Sequence, residues 1–212
     1  QHQDAPSGWY QSCNDSPYSC TLPSPFDPLD YPAWLAPVYT NFRAQNYSRV
    51  LSGTQTFDFE AFVAAKFSSR VELADRLLPQ LINAVQMLND HPQKAMLQQC
   101  AAVLKVWDRL TEPSSKGAYL FLQWLLQQDI DDAIASPLFA DNWNFELAKD
   151  PVEHLKSLDT PNQLANPKTA LQALVQAAGV LQQQGYPLDV QWQDAVILQH
   201  GEYAVPAVGG PG

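Results

Sequence analysis

Residues 69–88, SRVELADRLLPQLINAVQML, carry the most regular pattern in the chain. Their apolar side chains recur every three or four positions, which is the spacing of one face of an α-helix. The pattern predicts a helix from Ser69 to Leu88. Pro79 lies inside it, and because proline lacks a backbone N–H we expect a kink or a break there. The apolar face consists of Val71, Ala74, Leu77, Leu78, Leu81, Ile82, Val85 and Leu88.

Helical spacing extends over most of the chain on both sides of this segment. Between the helices near its middle we expect a polar, Pro-rich loop with one turn near 151–156, because Pro137, Pro151 and Pro161 interrupt any helix there. The other predicted helices are Tyr39–Leu51 closed by Gly53, one capped by Asp58 that runs through Lys66, one opened by Pro92 with the stripe Met96, Cys100, Val103, Trp107 and Leu110, a buried one within 117–128, and Pro167–Gln184 before Gly185.

The two ends of the chain differ from this helical body. Seven prolines lie in the first 38 residues, interleaved with aromatic side chains, so we expect an extended arm pressed against other polypeptide. Gly8–Asn14 could form a short strand within it. The predicted fold class is mostly α, with 1–38 as the extended arm, 39–188 as the helical region, and 189–212 as short strands and a Gly-rich turn.

Charge and hydropathy limit the partners. The net charge is −10, with 12 Lys and Arg against 22 Asp and Glu, so too few cations are present to neutralise phosphates. We therefore expect no nucleic-acid partner. No apolar run approaches the roughly 20 residues of a membrane span, so we expect no membrane partner either.

The cysteines bear on the compartment of the protein, and the first residue bears on its processing. Cys13 and Cys20 could form a disulfide, which would favour an oxidising compartment, whereas Cys100 on a helix face is expected to be a buried free thiol. The first residue is Gln1, not Met, and because no basic stretch followed by an apolar run comes after it, we expect no intact signal peptide in this sequence. We expect that the chain was cut from a longer polypeptide.

The common catalytic and metal-binding motifs are absent from the sequence. It has no G-x-S-x-G, no phosphate-binding loop, no H-E-x-x-H and no C-x-x-C, and its four histidines are scattered. Asp129, Asp131 and Asp132 begin like a calcium loop but lack the Gly and Glu that such a loop needs. We expect no metal and no cofactor.

One short segment, Ser12-Cys13-Asn14-Asp15-Ser16-Pro17-Tyr18, remains as a candidate for chemistry. On local grounds it can be a simple turn, because Asn and Asp bond their own backbone and Ser-Pro is extended. It also resembles the Asn-x-Asn-Asp-x-Pro-aromatic motif of the penicillin acylase family, with Ser12 replacing the first Asn. The acyl-homoserine lactone and aculeacin acylase branch is the nearest.

The resemblance continues in order along the chain. Arg43, in Phe42-Arg43-Ala44, corresponds to the arginine that the family places 25 to 30 residues after the motif, at the start of a helix. Val106-Trp107-Asp108-Arg109-Leu110 resembles a family helix that ends in Trp-Asp-Arg. Similarity also covers 190–194 and 203–210. The resemblance implies that this chain is an interior segment of the large subunit of a larger α/β/β/α hydrolase.

In that family a serine exposed by self-cleavage attacks an amide carbonyl, with its own α-amino group as the base. The resemblance places Asn14 in the oxyanion hole and Arg43 beside it as an active-site organiser, with Tyr18 lining the acyl pocket. Gln1 cannot be the nucleophile, so we expect the serine outside this chain and the isolated chain to be inactive. Arg43 could instead form a surface ion pair with an acid such as Asp58, and Tyr18 could be plain packing.

The resemblance also implies a substrate class and partners. We expect an N-acyl amide, such as an N-acyl-homoserine lactone or a penicillin-like amide, and a role in quorum quenching or antibiotic chemistry. The partners would be the small subunit and the rest of the large subunit of the same acylase, in the periplasm or outside the cell. The alternative is a secreted or periplasmic helical binding module without catalysis, whose aromatic arm docks on a partner protein.

Overall fold

The computed structural model describes residues 4–53, 56–128 and 138–209. These residues form two compact units. Unit 1 comprises the described parts of Gln1–Ser68 and Asp141–Asn162, and unit 2 those of Ser69–Asp132, Ser136–Ala140 and Gln163–Gly212. Asp129, Asp131 and Asp132, together with the end of the predicted Gly-rich turn at 210–212, lie outside the described residues.

About half of the chain is helical, and the strands form two small two-stranded sheets, so the mostly α prediction is confirmed. Short 3₁₀ turns occur at Pro17–Ser19, Pro28–Asp30 and His154–Asp159. The helices and strands of the described residues are α1 (Phe42–Gly53), α2 (Phe59–Lys66), α3 (Glu72–Gln86), α4 (Lys94–Val106), α5 (Ala118–Leu126), β1 (Phe139–Asp141), α6 (Phe145–Lys149), β2 (Asn162–Leu164), α7 (Pro167–Gln183), α8 (Trp192–Ala195), β3 (Ile197–His200) and β4 (Tyr203–Pro206).

Unit 2 is a bundle in which α3, α4, α5 and α7 bury their apolar faces against one another. Trp124 of α5 is fully buried and donates its indole N–H to the carbonyl of Ala170, 2.9 Å away. The apolar face of α3 is buried as the sequence predicts, and α3 is continuous through Pro79, so no break occurs there. Pro79 is exposed, and solvent can hydrate the carbonyl that loses its partner.

The last segment of unit 2 contains short extended pieces, as predicted, together with one turn of helix. Strands β3 and β4 pair antiparallel, with His200 opposite Tyr203. Trp192 of α8 is buried and donates to the carbonyl of Ala207 at 2.7 Å. This bond joins α8, which precedes the β3–β4 hairpin, to Ala207, which follows it.

Unit 1 contains the Pro-rich arm and differs from the prediction in two places. Gly8–Asn14 is not a strand in the described residues: the backbone N–H of Gln11 bonds the carbonyl of Cys20 at 2.8 Å, but no ladder continues from this bond. The predicted loop around Pro151 contains α6, which Asn144 caps by accepting from the backbone N–H of Leu147. The strand predicted at Gly8–Asn14 is missing because Pro17, in the segment that would pair with it, has no backbone N–H to donate.

The arm is partly packed, as its aromatic content predicts. Leu22 lies in a small buried core with Ala148 and Leu158, and Trp9 packs against that core. Other apolar side chains of the arm are exposed to solvent: they are Leu29, Tyr31, Trp34, Leu35 and Val38.

Candidate active site

Helix α1 has a capped first turn, which defines the residue at which the helix begins. The side chain of Asn41 accepts from the backbone N–H of Ala44 at 2.8 Å, which satisfies one of the free donors of the first turn. Most of the first two turns of the helix is buried, through Phe42, Ala44, Gln45, Asn46 and Ser48. Arg43 and Tyr47 lie one turn apart, so their side chains share a face.

Asn14 occupies the turn that precedes the 3₁₀ helix at Pro17–Ser19. Its φ of 56° lies in the left-handed region, which asparagine tolerates better than most residues because its short amide can bond nearby groups. Ser16 then caps the 3₁₀ helix by accepting from the backbone N–H of Tyr18. The chain therefore turns at Asn14, but the side chains of Asn14 and Asp15 bond residues 19 and 40–43 and not their own backbone, in contrast to the simple turn that the local pattern allows.

This turn is bonded to the start of α1. The Nη2 atom of Arg43 donates to the carbonyl of Cys13 at 2.7 Å and to Oδ1 of Asn14 at 3.2 Å. The Nδ2 atom of Asn41 donates to the same carbonyl of Cys13 at 3.2 Å. Guanidinium has only donors, so the carboxamide of Asn14 turns its oxygen toward Arg43. Its NH₂ group therefore faces away from Arg43 with its donors directed elsewhere.

A cavity of about 430 Å³ opens beside this pair, entirely within unit 1. Its volume lies in the range of small-molecule sites, roughly 300–1,000 Å³. One part of its wall is polar, with Asn14 and Arg43, and another is apolar and comes from α1, α2 and Phe57. The lining residues are Tyr10, Gln11, Ser12, Cys13, Asn14, Arg43, Tyr47, Val50, Leu51, Phe57, Phe62, Ala65 and Lys66.

Tyr47 holds the far wall of the cavity in place. Its hydroxyl donates to the carbonyl of Lys66 at 2.7 Å and so ties α1 to the last turn of α2. Burial raises the pKa of the Tyr47 phenol, Cys13 adds to that shift, and the Arg43 guanidinium opposes it. The phenol is thus a neutral donor at neutral pH.

Cys13 and Cys20 are free thiols, so the disulfide that the sequence allows is not formed. Burial raises the pKa of the Cys13 thiol, with Arg43 lowering it and Asp15 raising it. A raised pKa makes the thiol a poor nucleophile near neutrality. Cys13 therefore contributes its carbonyl to the site, where Arg43 and Asn41 bond it, and its side chain lines the cavity.

The structure brings Asn14 and Arg43 together and places Tyr18 elsewhere. The hydrogen bonds of Arg43 go to Cys13 and Asn14, whereas Asp58 caps α2 by accepting from the backbone N–H of Ala61. The ion pair between Arg43 and Asp58 that the sequence allows is therefore not formed. Tyr18 is buried against Tyr31 and Phe145, and it is not a lining residue of the cavity.

Two groups of site residues were not predicted from the sequence. Thr40 and Asn41, just before α1, hold the turn at Asn14, and Tyr47 and Phe62 line the cavity. The spacing of four between Arg43 and Tyr47 was a usable signal, since it places both on one helix face. Nothing in the local sequence marks Thr40 or Phe62.

The Trp-Asp-Arg segment belongs to unit 2 and forms a local anchor. Trp107 is buried and donates to the carbonyl of Leu110 at 2.8 Å. Arg109 pairs with Asp75, which also binds Arg70 at 2.8 Å. The contacts of Arg109 join the segment after α4 to the start of α3.

Within the described ranges, no group of three or more His, Cys, Asp or Glu side chains is placed to hold a metal ion. Across the same ranges, no helix has both the length and the apolar character needed to cross a bilayer.

A family model described as Penicillin amidase matches residues 1–210. The match includes the turn at Asn14, the start of α1 and the whole of unit 2. The chain therefore belongs to the penicillin amidase family, whose activity is the hydrolysis of amide bonds by an acylase.

Proposed function

We propose that this chain contributes the oxyanion-binding side of an acylase active site, with Asn14 as the side-chain donor. The observation that carries the proposal is the position of the Arg43 guanidinium on Oδ1 of Asn14. This contact fixes the orientation of the carboxamide and directs its NH₂ group away from Arg43. An uncharged donor that keeps the same protonation state at every working pH suits an oxyanion hole.

The nucleophile is a serine at the start of the large subunit, supplied by polypeptide outside these residues and exposed by self-cleavage. Its hydroxyl oxygen forms a bond to the amide carbonyl while its α-amino group takes the hydroxyl proton. The tetrahedral oxyanion receives a hydrogen bond from Nδ2 of Asn14. The C–N bond of the substrate then breaks as the α-amino group passes its proton to the leaving amine. Water hydrolyses the acyl ester that remains on the serine.

Arg43 acts on the substrate indirectly, through the carboxamide of Asn14. A positive donor on the amide oxygen polarises the carboxamide, and hydrogen bonds in a chain strengthen one another. The same guanidinium nitrogen holds the Cys13 carbonyl at 2.7 Å, so both ends of the Cys13–Asn14 pair are fixed. Arg43 thus makes the Nδ2 donor stronger and better placed.

The substrate is an N-acyl amide whose acyl part is apolar. Val50, Leu51, Phe57 and Phe62 line the cavity close to the polar pair, which supports a fatty or aromatic acyl group. N-acyl-homoserine lactones are the first choice, because the motif around Asn14 is nearest that branch, and penicillin-like amides are the second. Quorum quenching would be the consequence of the first choice.

The remaining subunits of the acylase are the proposed partners, in the periplasm or outside the cell. Leu29 and Trp34 of the arm are 89% and 83% exposed, and we propose that the rest of the acylase covers them. A binding module without catalysis would also use such an arm, but it leaves the family membership and the pairing of Arg43 with Asn14 unexplained.

The test is Asn14→Ala in the complete acylase. Loss of one oxyanion donor should lower kcat by about 10²- to 10³-fold and leave KM nearly unchanged, because the donor acts mainly in the transition state. Asn83→Ala, on the exposed side of α3, is the matched control and should keep full activity. An Asn14→Ala enzyme with unchanged kcat would exclude the oxyanion role.

A further inference from the structure

Asp15, next to Asn14, accepts three hydrogen bonds. Its Oδ2 atom accepts from the hydroxyl of Ser19 at 2.7 Å and from the hydroxyl of Thr40, and its Oδ1 atom accepts from the backbone N–H of Asn41 at 3.2 Å. A carboxylate has about four acceptor positions, so most of its capacity is used.

These three donors come from two parts of the chain. Ser19 belongs to the 3₁₀ helix that follows the turn, whereas Thr40 and Asn41 lead into α1. Thr40 and Ser19 are both buried, at 2% and 5% exposure. Asp15 therefore ties the turn to the start of the helix that carries Arg43.

The neighbours of Asp15 repeat the same connection. The carbonyl of Cys13 accepts from Asn41 and Arg43, and Oδ1 of Asn14 accepts from Arg43. Each of the three residues 13, 14 and 15 is thus bonded to the segment 40–43. Asp15 provides two of these links, from Thr40 and Asn41, and hydrogen bonds that involve a charged group are stronger than those between neutral groups.

We propose that Asp15 is a positioning residue, which holds the backbone of Asn14 in its left-handed conformation so that the carboxamide meets Arg43 and faces the oxyanion. This inference rests on the proposed function of Asn14. Without Asp15 the turn at φ 56° loses the three hydrogen bonds of this carboxylate, and the Nδ2 donor is displaced. A displacement of about 1 Å is enough to cost on the order of 10²-fold in rate.

The three donors predict which substitutions are tolerated. In Asp15→Asn the amide oxygen can still accept from the N–H of Asn41, and the new NH₂ group can donate to the two hydroxyls, which accept as well as donate. We expect this variant to keep kcat within about threefold of the parent, because each of the three contacts survives. Asp15→Ala removes all three contacts and should lower kcat by on the order of 10²-fold at unchanged KM.

The experiment is a double-mutant cycle in the complete acylase, with Asp15→Ala made in the parent and in Asn14→Ala. If Asp15 acts through Asn14, it lowers kcat in the parent but has no further effect once the carboxamide is gone. Asp27→Ala is the matched control: like Asp15, Asp27 accepts from a backbone N–H and from a side chain, those of Leu29 and of Lys149 at 3.0 Å, but neither group belongs to the turn at Asn14. It should leave kcat unchanged.

The outcomes separate this inference from the proposed function. Unchanged kcat in Asn14→Ala overturns both. A loss in Asn14→Ala together with a parent-like Asp15→Ala, or with an equal loss from Asp15→Ala in both backgrounds, overturns the positioning role alone. If Asp15→Ala does not fold, Thr40→Val serves instead, since it removes one buried donor at nearly constant volume and must show the same dependence on Asn14.

Discussion

The Nη2 atom of Arg43 lies 3.2 Å from Oδ1 of Asn14, across 29 residues of sequence. The same nitrogen lies 2.7 Å from the carbonyl oxygen of Cys13. One side chain of α1 therefore sets both the backbone and the side chain of the turn.

Arg43→Ala should lower kcat of the complete acylase by about 10²-fold, because the Asn14 carboxamide loses the donor that orients it. Arg43→Lys should recover only part of the loss, since an ammonium cannot reproduce the planar fork of guanidinium. Steady-state kinetics on one N-acyl amide measure both. Arg49→Ala is the control on the same helix: Arg49 bonds Asp159 and Leu158 and should not affect kcat. A parent-like Arg43→Ala contradicts the prediction.

Phe62→Ala should raise KM for long-chain substrates by about tenfold, because it removes apolar surface from the cavity wall. The effect should shrink as the acyl chain is shortened. KM is measured over a series of acyl lengths with one leaving group. Phe67→Ala, an exposed aromatic beside α2 whose ring contacts Lys66, is the matched control and should leave the series unchanged. An equal effect of both variants would show that the cavity does not hold the acyl chain.

The isolated chain should have no amidase activity, since the proposed serine lies outside it. It should also bind an apolar dye through Leu29, Trp34 and the other exposed side chains of the arm. The measurements are an amidase assay and dye fluorescence, each repeated with the complete acylase, in which activity appears and dye binding falls. Turnover by the isolated chain would exclude an external nucleophile.

Leu78→Ala should reduce the free energy of unfolding by about 2–5 kcal/mol, because Leu78 is fully buried in unit 2 and its removal leaves a cavity. Met87→Ala, after the end of α3 and 72% exposed, should change it by less than about 0.5 kcal/mol. Denaturant unfolding followed by far-UV circular dichroism gives both values. Similar losses for the two residues would contradict the buried face of α3.

Burial raises the pKa of the Cys100 thiol from 9.0 to about 11. The neutral thiol is therefore favoured in the folded chain, and its contribution to stability is complete below pH 9 and lost as the pH rises from 9 toward 11. The total loss from this group is about 3 kcal/mol. Unfolding free energies measured from pH 8 to 11 should fall less steeply in Cys100→Ala, which has no thiol to ionise. Identical slopes in both proteins would refute the shift.

The sequence alone determined the larger helices. Helices α3 and α7 follow from apolar spacing, α5 follows from a segment that is apolar nearly all round, and α2 follows from its cap at Asp58. These signals are local, because a helix depends on residues three and four positions apart. Family resemblance added the pair of Asn14 and Arg43. The five-residue helix α6 is too short to show a period, and its cap at Asn144 alone did not reveal it.

Only the tertiary structure decided how distant segments combine. It places 141–162 in unit 1 with the arm, forms the cavity between α1 and α2, and bonds Asp15 to Thr40 and Asn41. It also leaves Gly8–Asn14 without a partner strand and buries Tyr18 away from the cavity. The physical reason is that such contacts depend on where the chain returns after a loop, which the packing of the whole unit fixes and no local pattern encodes.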